Sequence, residues 1–148
     1  MAKLETGHYN IVNLAQESGS IGRFPIEDKS LLPKRIVVIP QSIKPSRWIV
    51  EALPNGRYIL KNGGAPTAET DNLVFAFLRD EKKEEWKITY RENHDAYTIE
   101  KGSGESGWVI PDVKPETQVA VHPLISTKSI PPQFPHTELW KIMPLLDD

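Results

Sequence analysis

No cysteine occurs anywhere in this 148-residue chain. That absence removes a disulfide framework, a thiolate zinc site and a cysteine nucleophile. Long apolar runs are missing too. No stretch approaches the ~20 consecutive apolar residues that span a bilayer. The opening Met1-Ala2-Lys3-Leu4-Glu5-Thr6-Gly7 lacks the apolar core of a secretion signal. The expectation is a cytoplasmic protein with no membrane partner. A basic face is also lacking: 18 Lys and Arg stand against 20 Asp and Glu, with a formal net charge of -2 and both signs interspersed. Nucleic-acid binding needs clustered positive charge, so no nucleic acid is expected as a partner.

Catalytic patterns are equally scarce. His8, His94, His122 and His136 form no His-x-His or His-x-x-x-His pair. Gly102 to Gly107 has neither the Gly-x-Ser-x-Gly frame of a nucleophile elbow nor the lysine of a phosphate loop. The reading is of a protein that is not an enzyme, with no cofactor and no metal.

Proline, by contrast, is abundant. Its 13 residues are nearly twice the usual ~5% share and leave little room for long helices. The longest proline-free gap, 67 to 110, contains the charged run 79 to 87, read as a solvated loop because its flanks alternate with period two.

Two short motifs each recur three times. Gly7 to Val12, Gly56 to Leu60 and Asp95 to Glu100 each carry a tyrosine soon after a turn residue, with aliphatic residues following. Arg47-Trp48-Ile49-Val50, Glu85-Trp86-Lys87-Ile88 and Leu139-Trp140-Lys141-Ile142 each place tryptophan and an aliphatic residue two apart. That spacing puts both on one face of a strand. Two further short strands fit in each unit: 20–24 and 36–39, then 67–69 and 73–78, then 107–110 and 118–121. About twelve strands in three repeats predict an all-β chain, and a β-trefoil fits best: one domain over 1–148, with aromatic layers as its core and function in its loops. Ricin-B-like lectins carry Gln-x-Trp in each trefoil repeat. Here the triplets begin with Ser46, Glu84 and Glu138, so a carbohydrate-binding lectin is kept only as an alternative.

The loop between the eleventh and twelfth strands reads Ser126-Thr127-Lys128-Ser129-Ile130-Pro131-Pro132-Gln133-Phe134. A trypsin-like protease accepts an extended backbone and a long cationic side chain in a pocket with a carboxylate floor. Lys128 offers that side chain. Thr127 is stiff at its first torsion, Ser129 is small, and Pro131 and Pro132 restrict the residues around them. On composition alone, an ordinary exposed lysine in a proline-rich connector would look the same.

The stretch resembles the trypsin-binding loop of Bowman-Birk inhibitors, departing at Ile130. The resemblance implies Lys128 as the primary specificity residue and Lys128–Ser129 as the reactive bond. Bowman-Birk loops are closed by cysteines; here Ser126 and Phe134 stand in the flanking places, so the fold itself must hold the loop. Over most of its length the cysteine-free, proline-rich pattern is similar to the fungal fruiting-body protease inhibitors, above all the cnispin type, and less to the cospin type and the mycocypins. That resemblance implies a β-trefoil inhibitor of trypsin-like serine proteases, acting as a monomer. It also implies possible secondary loops: 25–33, with Lys29 and the nearby Arg23, as in cospin-like members, and Asn62, in the position mycocypins present to legumain. Asn62-Gly63 is also what an ordinary tight turn requires, and a mycocypin-like cysteine protease inhibitor is a further alternative.

Overall fold

The computed structural model describes residues 4–15, 19–24, 27–40, 42–79, 81–102 and 104–145. Among them are twelve strands: β1 (Gly7–Asn13), β2 (Ile21–Arg23), β3 (Lys34–Val38), β4 (Trp48–Ala52), β5 (Tyr58–Asn62), β6 (Ala65–Thr70), β7 (Leu73–Ala76), β8 (Trp86–Arg91), β9 (Ala96–Lys101), β10 (Ser106–Val109), β11 (Ala120–Pro123) and β12 (Trp140–Pro144). One 3-10 turn, His136–Glu138, precedes β12.

Period-two burial accounts for the strands. In β1, Tyr9, Ile11 and Asn13 are buried while the residues between them are not. In β4 and β12, Trp48 with Val50 and Trp140 with Ile142 face inward. The first tyrosine motif and these two tryptophan motifs therefore sit on strands with one buried side, whereas β5 and β9 bury consecutive residues on both faces.

Six strands close a ring of antiparallel pairs: β1 with β4, β4 with β5, β5 with β8, β8 with β9, β9 with β12, and β12 with β1. The other six form three hairpins, β2–β3, β6–β7 and β10–β11. These hairpins touch one another through β3–β7, β7–β11 and the bridge Val37↔Gln118. A wider circuit of nine strands also closes, running from β5 through β6, β7, β11 and β10 to β9 and back by β12, β1 and β4.

Tight turns make the hairpins. Asp71 and Asn72 join β6 to β7 with φ of 53° and 64°, and Gly63 and Gly64 join β5 to β6 with φ of 60° and 81°. Two successive left-handed residues match the twist of the paired strands. Gly63 has a second reason to be glycine: a Cβ there would lie 2.7 Å from an Arg23 guanidinium nitrogen.

The core is built on tryptophan. Trp48, Trp86, Trp108 and Trp140 are all fully buried. Trp108 sits between the other three, with ring centroids 5.9, 5.2 and 6.0 Å away. The three outer indoles each donate to the hairpin of their own repeat: Trp48 to the Ile21 carbonyl at 2.8 Å, Trp86 to Thr67 Oγ1 at 3.1 Å, and Trp140 to the Trp108 carbonyl at 3.1 Å. The three expected Trp strands thus hold the same place in each repeat. Trp108 is a fourth, central residue that the repeat pattern does not single out. The tyrosine layer is less regular than expected. Tyr9 and Tyr58 are buried, whereas Tyr97 is half-buried and packs on Tyr90 at 5.3 Å.

Candidate functional site

The chain leaves β11 at Pro123 and returns through the 3-10 turn into β12. Between them, residues 125–131 are exposed, Pro132 is half-buried and Phe134 is buried. Ile130 is 99% exposed, so the tip stands clear of the protein. Lys128 is the one ionisable side chain between His122 and His136. It makes no hydrogen bond or ion pair among the described residues.

Short-range hydrogen bonds close the loop on itself. The Thr127 N–H donates to the Gln133 carbonyl at 2.9 Å, and the Gln133 N–H donates to Thr127 Oγ1 at 2.9 Å. The Ser129 hydroxyl donates to the Pro131 carbonyl at 2.9 Å. Its one proton is thereby used, so in the 2.6 Å contact between the two hydroxyls Thr127 is the donor. A directed chain results: Gln133 N–H to Thr127, Thr127 to Ser129, Ser129 to the Pro131 carbonyl. It bridges the backbone on both sides of the Lys128–Ser129 bond. The Ile130–Pro131 peptide is cis.

Each arm of the loop is anchored separately. On the first arm, the Leu124 N–H donates to the Glu105 carbonyl at 2.9 Å and the Ile125 N–H to Glu138 Oε2 at 2.7 Å. Glu138 is 2% exposed, and its other oxygen has no partner among the described residues. Burial raises its pKa, opposed by the Ile125 hydrogen bond. On the second arm, Asn93 Nδ2 donates to the Pro132 carbonyl at 3.1 Å and the Phe134 N–H to His94 Nε2 at 3.2 Å. The Arg91 guanidinium lies 4.6 Å from the centre of the Phe134 ring.

The structure thus brings Ser126 to Gln133 together as one closed loop. It places the secondary candidates elsewhere. Arg23 ends β2, and its guanidinium is paired with Glu27 at 2.8 and 3.0 Å. Asn62 is 2% exposed; its side-chain oxygen accepts the Arg23 N–H at 3.0 Å and its amide donates to Ser46 at 2.9 Å. Asn62 ends β5 just before the Gly63–Gly64 turn, and its side chain is buried in that corner, while the Arg23 side chain is partly buried. Lys29 is exposed. It follows Asp28, which Lys34, by hydrogen bonding to it, holds at a pKa of about 2. Pro25 of that loop lies outside the described residues. The four tryptophans are fully buried, so none of them offers an indole face on which a sugar could stack.

Arg91, Asn93, His94, Glu105 and Glu138 were not legible as loop supports. Asn93 and His94 lie about 40 positions from their partners, and no local pattern links them.

A family model, peptidase inhibitor I66, matches residues 1–144. The chain belongs to the peptidase inhibitor I66 family. As a member of this family it is an inhibitor and not an enzyme. A relative described as a serine protease inhibitor, from Lentinula edodes, is 41% identical over 146 residues, covering 96% of this chain and 99% of its own. A proteinase inhibitor structure from Coprinopsis cinerea superposes with a TM-score of 0.88 at 35% identity, over 96% of this chain and 99% of that one. A Polyporus squamosus lectin superposes with a TM-score of 0.68 at 14% identity, over 94% of this chain and 49% of that one. The lectin likeness concerns the fold alone.

Proposed function

We propose that this I66 inhibitor blocks trypsin-like serine proteases through loop 126–134, with Lys128 in the primary specificity pocket and Lys128–Ser129 presented as the scissile bond. The observation that carries this reading is an unpaired, exposed lysine at the tip of a loop closed across the bond that follows it. The serine protease target is supported by the description of the Lentinula edodes relative. The choice of an anionic pocket, one that takes a cationic side chain, rests on Lys128 and on the Bowman-Birk resemblance.

The mechanism follows from the closure. The loop is held in shape before it binds, so little conformational entropy is lost on docking. Lys128 enters the pocket as an extended stem with a terminal charge. When the protease attacks the Lys128 carbonyl, the Ser129 amine becomes the leaving group. The Thr127 hydroxyl keeps the two sides of that bond linked through Ser129 and Gln133. The amine therefore stays beside the acyl-enzyme, and resynthesis of the peptide competes with water. We further propose that the ring with its three hairpins is a single β-trefoil domain, acting as a monomer.

Steady-state inhibition of trypsin by the wild type and by Lys128→Ala is the test. A central anchor contributes about 2 kcal/mol or more to such interfaces. The inhibition constant should therefore rise by roughly 30-fold at least. Equal inhibition by the two proteins would show that another loop, such as the one holding Lys29, makes the contact.

A further inference from the structure

The loop resembles a disulfide-closed element but has no cysteine, so something else must hold it. The second arm is gripped by the turn between β8 and β9. Asn93 and His94 bond to Pro132 and Phe134, and the His94 ring meets the Phe134 ring at 6.3 Å and 71°. The turn is itself anchored. The His94 N–H donates to the Arg91 carbonyl at 2.9 Å and the Asp95 N–H to the Glu92 carbonyl at 3.2 Å. Asp95, left-handed at φ 52°, is bonded by the Tyr90 hydroxyl and by Lys141 of β12. The turn is therefore a fixed support built from the closed ring.

We propose that Asn93 and the neutral imidazole of His94 are positioning residues for inhibition, doing for the second arm what a disulfide does in a cysteine-closed loop. This rests on the reading of loop 126–134 as the protease-binding element. The chemistry is specific. Nε2 accepts the Phe134 N–H, so it carries a lone pair and the ring proton is on Nδ1. A second proton would turn Nε2 into a donor facing another donor. The Phe134 amide would lose its acceptor and the second arm would be released from the turn.

The experiment compares wild type, His94→Gln, His94→Ala and Asn93→Ala. Trypsin inhibition constants and the rate of Lys128–Ser129 cleavage are measured at pH 8. Glutamine can present an uncharged acceptor to the Phe134 N–H. At pH 8, His94→Ala and Asn93→Ala should each raise the inhibition constant and the cleavage rate by about 10-fold, while His94→Gln stays near wild type. Identical behaviour of the Gln and Ala variants would overturn the proposal. A readout without protease separates it from the reading beneath it: in free protein, the Phe134 amide hydrogen should exchange with solvent faster in His94→Ala than in wild type or His94→Gln. Equal exchange in all three refutes the clamp whatever trypsin does. Faster exchange in His94→Ala alone, in a protein that fails to inhibit trypsin, sustains the clamp and refutes the target.

Discussion

Thr127 bears on the site as strongly as Lys128, though it reaches no pocket. Its hydroxyl accepts from Gln133 and donates to Ser129, and both contacts cross the bond that a protease would cut. Thr127→Val keeps the branched shape and removes the oxygen. The Gln133 N–H is exposed enough to find water, so stability should change little, whereas cleavage of Lys128–Ser129 during incubation with trypsin should quicken by about 10-fold. Mass spectrometry of the nicked product checks this. The exposed loop around Lys128 was legible as a loop because its residues are contiguous. Their partners were not, because each lies far along the chain.

Among the elements, the 3-10 turn His136–Glu138 has a double task. It starts β12, and it carries Glu138 under the first arm of the loop. A carboxylate buried with one oxygen unpaired is expensive to ionise, and burial accordingly raises its pKa. A raised folded-state pKa favours the fold while the group is protonated in both states, below the ordinary carboxylate range. That contribution is lost as pH climbs through the raised value. Glu138→Gln retains an acceptor for Ile125 and removes the ionisation. The variant should melt higher than wild type at pH 7, by a few degrees for ~1 kcal/mol in a chain of this size, and the gain should vanish near pH 4. Thermal melts at the two pH values decide it. The strands themselves were predictable from short apolar runs between turn residues and from the repeated tyrosine and tryptophan motifs. The short helical turn and the two clamps were not, since neither has a periodic signal.

For the whole molecule, the deciding feature is the tryptophan cluster at the meeting point of ring and hairpins. Trp108 touches the other three indoles and gives its carbonyl to Trp140. Trp108→Ala should cost about 3–5 kcal/mol, with a correspondingly large fall in melting temperature in calorimetry. Trypsin inhibition by the fraction that remains folded should change far less, because the loop is anchored by the β8–β9 turn, Glu105 and Glu138 and not by Trp108.

The amino-acid sequence by itself determined the strand positions, the threefold repeat and the exposed lysine loop. Each of these depends on residues that are neighbours or that recur at fixed spacing, and hydrophobic alternation and proline stiffness act at that range. Only the tertiary structure decided what holds the loop. Closing the ring brings β8–β9 against the end of the β11–β12 connection, and so sets Asn93 and His94 against Pro132 and Phe134. It also put Trp108 at the centre and withdrew Arg23 and Asn62 into a corner of the fold. Those placements come from which buried faces meet when the sheet closes, a property no single segment carries.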